Sequence, residues 1–373
     1  MSTPLSRRTI TQVLATSTGG VGVHVRSIAA DLVGAGADLR IVGPQATEDL
    51  FRFTAEGAHF AAVEIASGSD PRKDARAVRR LRAATSGADL IHAHGLRAAT
   101  VAAAANLGRR TPLVVTLHNA VDVQSPALRR VYAGLERFVA RSADVVIGAS
   151  PDLADRAREC GAKYVLFREV AAPPAPPAQR TAAQVREELH LPAEAPVLLC
   201  VGRLHPQKGY DTLVAAAGAW QDHPLRPEVI IAGDGPLESE LRREIDAASL
   251  RIRLLGRRSD VADLLETADL VLMPSVWEAR SLVAQEAMRA GVALICTTTG
   301  GMGELVGDAA RTIEVGDSAG LAQAVLDLLE DPQERADLAE AGRRRAASFP
   351  TQRDTALALI EIYRELLGQG TSG

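Results

Sequence analysis

Residues 270–296 read LVLMPSVWEARSLVAQEAMRAGVALIC, and this stretch holds a short apolar run, a helical pattern and a second short apolar run. Short apolar runs separated by helical segments are typical of buried parallel strands with helices packed on the sheet. The alternation continues through the chain, with runs such as Leu113–Leu117 and Val197–Val201. The sequence therefore predicts an α/β protein with doubly wound parallel sheets, which bind ligands at the carboxyl ends of their strands.

Two domains are expected, because 373 residues suffice for two separate cores. The segment 171–178 reads AAPPAPPA, and its prolines exclude a helix interior or a central strand. We therefore predict a first domain over residues 1–172, a proline-rich linker over 173–196 and a second domain over 197–351. A helix predicted near 352–368 is expected to join the first domain.

The composition is that of an ordinary globular protein, with 47% apolar and 24% charged residues. No apolar run approaches the ~20 residues that a membrane-spanning helix needs. The amino-terminal residues lack the apolar core of a signal peptide. The three cysteines are scattered and odd in number, so we expect reduced thiols in a cytoplasmic protein.

Charge is distributed unevenly along the chain. Residues 1–170 hold 22 Lys and Arg against 16 Asp and Glu, whereas residues 171–373 hold 20 against 30. The basic half favours either an anionic acceptor or membrane surface, or is simply a solvated surface. The strongly basic helix expected at 71–83 has the same two interpretations: peripheral contact with anionic lipid, or a scaffold helix that packs on the sheet. No nucleic-acid partner is expected.

The glutamates Glu278 and Glu286 form the most informative pair in the chain. The first follows an apolar run and the second lies about two helical turns further on. Two acids at one edge of a sheet can hold two hydroxyl-bearing parts of one ligand, as in a sugar nucleotide. For Glu286 the alternative is a solvated helix position, which its apolar neighbours disfavour.

Two cations follow a predicted strand that ends at Gly202. Arg203 and Lys208 lie in the segment RLHPQKG, where they can neutralise a diphosphate. The chain has 39 Arg but only three Lys, so a lysine here fits a point charge on phosphate. The helix that opens at 279–282 offers free backbone N–H groups to the same phosphates. The alternative is an ordinary surface turn with two solvated cations.

In this order, the motifs resemble the retaining glycosyltransferases of family 4, which have the two-lobed GT-B fold with two Rossmann-like domains facing across a cleft. The resemblance covers nearly the whole chain. In the first half it is carried by residues 19–24, 89–95 and 115–119, and in the second half by residues 202–211, 233–237, 278–288 and 300–306.

The resemblance implies a role for each matching residue. Arg203 and Lys208 stabilise the leaving diphosphate, Glu278 contacts the transferred hexose, and His118 reaches the sugar from the other lobe. These four residues are the predicted catalytic set. The predicted donor-binding residues are Gly19, Gly20, Gly202, Gly233, Arg258, Ser281, Leu282 and Glu286.

No metal ion or cofactor is predicted. The chain lacks the paired-aspartate metal motif, and His92 and His94 are interpreted mainly as structural residues without a third ligand at suitable spacing. One departure from the family is Ala279-Arg280-Ser281, where a small residue, a phenylalanine and a glycine are usual. Arg280 either binds an acidic sugar or extra phosphate, or points to solvent.

The predicted function is metal-independent, retaining transfer of a hexose from a UDP- or GDP-linked donor. The acceptor is a glycan, a lipid-linked molecule or a small molecule. Two alternatives remain at this point: a sugar-nucleotide epimerase with the same fold, or a non-catalytic protein that binds sugar nucleotides.

Overall fold

The computed structural model describes residues 4–66, 68, 70–120, 125–174, 176–221 and 223–369. The chain forms two compact units. The first combines Met1–Pro173 with Pro350–Gly373, and the second holds Pro174–Phe349.

The first unit is built on a seven-stranded parallel sheet with strand order β3-β2-β1-β4-β5-β6-β7. Its strands are β1 (Thr9–Leu14), β2 (Asp38–Gly43), β3 (His59–Ala62), β4 (Leu90–His94), β5 (Leu113–Leu117), β6 (Val145–Gly148) and β7 (Val165–Phe167). Its connecting helices are α1 (Gly20–Gly34), α2 (Gln45–Phe51), α3 (Pro71–Ala84), α4 (Gly95–Asn106), α5 (Pro126–Ser142) and α6 (Pro151–Glu159). Apolar clusters lie on both faces of the sheet.

The second unit is built on a six-stranded parallel sheet with strand order β10-β9-β8-β11-β12-β13. Its strands are β8 (Val197–Val201), β9 (Glu228–Ala232), β10 (Ile252–Leu254), β11 (Leu270–Met273), β12 (Ala293–Thr297) and β13 (Arg311–Ile313). Its helices are α7 (Ala182–Glu188), α8 (Tyr210–Trp220), α9 (Glu238–Ala247), α10 (Val261–Thr267), α11 (Leu282–Ala290), α12 (Met302–Val306), α13 (Ser318–Glu330) and α14 (Pro332–Ala346). The prediction of two doubly wound parallel-sheet domains is confirmed.

The last helix, α15 (Gln352–Gln369), returns to the first unit. Its apolar stripe packs in one core cluster with residues of α1, and Tyr363 is fully buried there. Leu359 and Ile360 lie in the same cluster, as do Ile28 and Leu32 of α1. The first unit is therefore assembled from both ends of the chain.

The proline-rich region is only partly an extended connector. After the prolines, Thr181 and Gln184 form a reciprocal capping box that starts α7, and Val185 is fully buried. Arg180 forms ion pairs with Asp260 and Asp263 of the second unit. The later part of segment 173–196 is thus packed helix within that unit.

The basic helix α3 uses its apolar stripe inside the protein. Ala77 and Leu81 are buried, and Val78 packs against the same core cluster. The packing that the scaffold interpretation requires is therefore present, and peripheral contact with anionic lipid stays a prediction. In the part of the chain that the structure describes, every helix is too short or too polar to cross a bilayer.

Candidate active site

In the second unit, the loop after β8 is joined to the loop after β11. The carbonyl oxygen of Gln207 accepts a hydrogen bond from the Val276 N–H at 2.8 Å, and its side-chain amide donates to the carbonyl oxygen of Trp277 at 2.8 Å. Gly209 has a φ of +65°, and a Cβ there would lie 2.0 Å from the carbonyl oxygen of Pro274. Glycine is required at this position because the two backbones touch.

This junction brings together Lys208 and Glu278, two of the predicted catalytic residues. The ammonium Nζ of Lys208 lies 2.5 Å from Oε1 of Glu278, and the hydroxyl of Ser275 donates to the same oxygen at 2.9 Å. Glu278 is only 8% exposed. Arg203 is exposed, and it forms no ion pair with the residues that the structure describes. Its guanidinium is therefore available to an anionic ligand.

The helix α11 begins directly after this cluster. Its N-cap is Ser281, whose hydroxyl accepts from the N–H of Ala284 at 3.3 Å. The first turn, from Leu282 onward, presents backbone N–H groups and the positive end of the helix dipole. Glu286 lies further along α11 and is half-buried, so the solvated interpretation is not supported. Burial raises the pKa of Glu286 to about 7, and the positive charge of Arg289 opposes this rise.

The predicted glycines Gly202 and Gly233 lie side by side at the carboxyl ends of neighbouring strands. A Cβ on Gly233 would lie 1.8 Å from the carbonyl oxygen of Gly202. That oxygen also accepts a hydrogen bond from the hydroxyl of Tyr210 at 3.0 Å. The close contact of the two backbones explains why glycine follows β9.

Arg258 is already engaged with carboxylates. Its guanidinium contacts Asp260 at 2.6 Å and Glu188 at 3.0 Å, which raises its pKa above the ordinary range. The structure thus gives Arg258 a clear role in fixing α7 to the start of α10. Its predicted donor contact stays a prediction.

Arg280, in the segment that departs from the family pattern, is buried and 8% exposed. Its guanidinium carbon lies 5.1 Å from the ring centroid of Phe349, in cation–π geometry. The interpretation that this side chain points to solvent is therefore wrong. The stack fixes Arg280 against the last residue of the second unit.

In the first unit, the predicted residues Gly19 and Gly20 start α1. Gly19 is its N-cap, and a Cβ there would meet no atom within 4 Å. Gly22 is the glycine that packing requires, since its Cβ would lie 2.1 Å from the ring of Phe51. The sequence pattern did not distinguish a glycine that packing requires, such as Gly22, from a predicted ligand-contacting glycine such as Gly19.

His118 follows β5 and belongs to a cluster of four buried histidines. Its Nε2 lies 3.1 Å from Nδ1 of His94, and the ring of His24 lies close to both. Burial lowers the pKa of His24 to about 4 and that of His92 to about 3. Burial and the neighbouring histidines also hold the pKa values of His94 and His118 well below the ordinary range. All four imidazoles are therefore neutral near pH 7.

The fourth histidine of the cluster, His24, was not predicted from the sequence. Ligand atoms of His24, His94 and His118 lie within 4.8 Å of one another. Nδ1 of His94 and Nε2 of His118 are hydrogen-bonded to each other, whereas the buried Nδ1 of His24 has no hydrogen-bond partner in the part of the chain that the structure describes. The expectation of no metal stays a prediction.

Four residues around these two clusters were missed by the sequence analysis. They are Ser275, Gln207, Gln12 and Tyr363. A serine three residues before a glutamate, or a glutamine inside a buried strand, is a signal only once the partner is known. A polar residue within an apolar run, such as Gln12 in β1, is the one general sequence sign of a buried hydrogen-bonding residue.

Comparison with known proteins identifies the family of the chain. Residues 182–345 match the family model for glycosyl transferases group 1, and residues 19–171 match that for the glycosyl transferase 4-like domain. The D-inositol 3-phosphate glycosyltransferase of Salinispora arenicola is 33% identical, over 74% of this chain and 68% of that one. Glycogen synthase of Mycobacterium tuberculosis is 28% identical, over 92% of this chain and 91% of that one.

Solved structures show the fold. HepE from Anabaena, in complex with UDP and glucose, has a TM-score of 0.82 at 22% identity and covers 95% of this chain and 99% of its own. Sucrose-phosphate synthase from Thermosynechococcus elongatus has a TM-score of 0.79 at 22% identity and covers 97% of this chain and 100% of its own. The two parallel-sheet units are therefore those of the GT-B fold.

Proposed function

Because the chain belongs to the family of group 1 glycosyl transferases, we propose that it transfers a hexose from a nucleoside-diphosphate sugar to a hydroxyl group of an acceptor, with retention and without a metal ion. The donor is UDP- or GDP-linked, and the acceptor is a glycan, a lipid-linked molecule or a small molecule. Relatives named for inositol phosphate and for glycogen support carbohydrate-type acceptors.

The observation that carries this proposal is the meeting of Lys208, Glu278 and the start of α11 at the carboxyl edge of one sheet. A sugar nucleotide has a diphosphate between two groups that carry hydroxyls. A cation and a helix N-terminus suit the diphosphate, whereas a carboxylate suits hydroxyls. Glu278 serves the hexose, and the half-buried Glu286 on α11 serves the ribose.

Bond cleavage at the anomeric carbon leaves positive charge on the sugar and negative charge on the departing phosphate. Lys208, Arg203 and the N-terminus of α11 would stabilise that negative charge, which is the task that a metal ion performs in other transferases. Because this charge develops during the reaction, Lys208 contributes more to the transition state than to donor binding. Retention is inferred from the family.

Donor binding is tested first by thermal unfolding with UDP, GDP and their sugars. A stabilisation by one nucleotide and its sugars is expected. Transfer is then measured as nucleotide release with panels of inositol phosphates and glucans in the presence of EDTA, and the product's anomeric configuration is read by NMR. No stabilisation by any nucleotide would contradict the proposal.

The remaining functions give different results in the same assay. An epimerase would release an altered sugar without acceptor, and a binding protein would be stabilised without turnover. Loss of activity in EDTA that is restored by a divalent cation would contradict metal independence. An inverted product would contradict retention.

A further inference from the structure

The buried polar residues of the first unit form a hydrogen-bond chain that the proposed transfer does not itself require. Gln12, in the middle of β1, is fully buried. Its side-chain amide donates from Nε2 to the hydroxyl of Tyr363 at 2.9 Å. The other end of the amide, Oε1, lies 2.5 Å from Nε2 of His94. Each end of this amide thus has one partner.

The amide fixes the proton of His94. A carbonyl oxygen only accepts hydrogen bonds, so Nε2 of His94 must carry the proton. Because burial and neighbouring histidines keep His94 neutral, it has a single ring proton. Its Nδ1 is therefore a bare acceptor.

His94 in turn fixes the proton of His118. Nδ1 of His94 lies 3.1 Å from Nε2 of His118, and only His118 can supply the proton between them. His118 is also neutral, since burial lowers its pKa far below the ordinary range. Its Nδ1 is then unprotonated, and this atom has no hydrogen-bond partner among the described residues.

We propose that Gln12, anchored by Tyr363, is a positioning residue that locks His118 in the Nε2–H tautomer and leaves Nδ1 as a hydrogen-bond acceptor for a carbohydrate hydroxyl. The inference rests on the proposed function only for the identity of that ligand. An imidazole acceptor recognises a neutral hydroxyl and does not favour a carboxylate or phosphate oxygen, which has no proton to donate. A hydroxyl group of the sugar is thus specified at His118.

The far end of the chain offers an internal control. The hydroxyl of Tyr363 accepts from Gln12 and donates to Nδ1 of His92 at 2.5 Å, and Nε2 of His92 then donates to the hydroxyl of Thr116 at 2.7 Å. Thr116 is as deeply buried as the other members of the hydrogen-bond chain. Along that chain, however, Thr116 and His118 lie on opposite sides of Gln12. Thr116→Val keeps the shape and removes only the last acceptor.

The direct test is long-range ¹H–¹⁵N NMR of the full chain labelled with ¹⁵N in the imidazole rings, with His118→Asn used to assign the signals. In wild-type protein His118 is expected to show a protonated Nε2 and an unprotonated Nδ1. An Nδ1–H tautomer, an equal mixture, or a bound metal ion on Nε2 would each overturn the inference. This measurement needs no variant of Gln12 to fold.

Gln12→Met removes both amide contacts at nearly constant volume. We expect the His118 signals to move toward a mixture of tautomers and kcat to fall about 10- to 100-fold, as for other supporting residues. KM for the donor should change less than about twofold, as expected when the lost interaction acts in the transition state and not in donor binding. Thr116→Val should keep the single tautomer and nearly wild-type kcat.

Equal effects of the two variants on the tautomer and on kcat would mean a merely structural role and would overturn the proposal. The NMR result does not depend on turnover. A locked Nε2–H tautomer in a protein that transfers no sugar would contradict the proposed function and keep the lock, whereas active protein with the other tautomer would contradict only the lock.

Discussion

The ammonium of Lys208 is bonded to the carboxylate of Glu278 at 2.5 Å, although the two are expected to hold different parts of one ligand. The pair ties the loop after β8 to the loop after β11 and compensates the buried charge of Glu278. A donor diphosphate would compete with Glu278 for the same ammonium. Donor binding would therefore rearrange this contact instead of filling two independent positions.

Lys208→Ala should slow transfer more than it weakens donor binding. Loss of one group that stabilises developing charge typically lowers kcat about 10²- to 10³-fold. The measurement is steady-state kinetics together with donor affinity by calorimetry. Lys163→Ala, at an exposed lysine, is the matched control and should behave as wild type. An affinity loss as large as the loss in kcat would argue against the assigned role.

Glu286 should make donor binding depend on pH. Burial raises its pKa to about 7, so the carboxylate that we propose accepts ribose hydroxyls is only partly ionised at neutral pH. Donor affinity should rise by about tenfold between pH 6 and 8, the change in ionised fraction expected for one such group. Glu286→Gln should bind more weakly at pH 8 and remove this dependence.

The same residue should affect stability with the opposite pH trend. The folded protein keeps the proton of Glu286 up to about pH 7, whereas the unfolded chain loses it near the ordinary value of 4.5. The contribution of Glu286 to the free energy of unfolding therefore becomes less favourable to the folded state as the pH rises from 4.5 to 7. Denaturant unfolding of wild type and Glu286→Gln should diverge over this window, with the variant gaining relative stability. Parallel curves would contradict the buried environment.

Gly209→Ala should disrupt the junction between the two loops. The added Cβ would meet the carbonyl oxygen of Pro274, and φ of +65° is strained for alanine. A destabilisation of about 1–3 kcal/mol is expected, with weaker nucleotide binding. Gly218→Ala, inside α8 with no atom within 4 Å, should instead stabilise the protein by about 0.5–1 kcal/mol. Chemical denaturation measures both changes.

Arg280 and Phe349 should be energetically coupled. A double-mutant cycle with Arg280→Met and Phe349→Leu should give a coupling of about 0.5–2 kcal/mol in unfolding free energy. Arg243, exposed on α9, is the control, and its substitution should add independently to Phe349→Leu. Independent effects of Arg280 and Phe349 would mean that the stack contributes nothing.

Much of the architecture could be predicted because buried parallel strands are continuous apolar runs. Both sheets, and the division after Pro173, follow from such local signals. Lys208 and Glu278 could also be brought together in advance, since both follow strands whose carboxyl ends lie at one edge.

Contacts between distant residues that do not both follow predicted strands could not be predicted. Gln12 and Tyr363 are 351 positions apart, and neither lies in a recognisable motif. The position of Arg280 was left open between a ligand contact and solvent because its aromatic partner lies at the end of the second unit. Likewise, nothing in the sequence around Arg258 indicated that Glu188, in the predicted linker, would compensate the charge of Arg258.

The return of α15 to the first unit sets an order of events during synthesis. Residues 174–349 form a contiguous unit that can fold while the chain is still being translated, whereas the first unit must wait for its last helix. Until Tyr363 leaves the ribosome, the amide of Gln12 lacks its anchor. A nascent chain can therefore complete its second unit before its histidines acquire a defined proton arrangement.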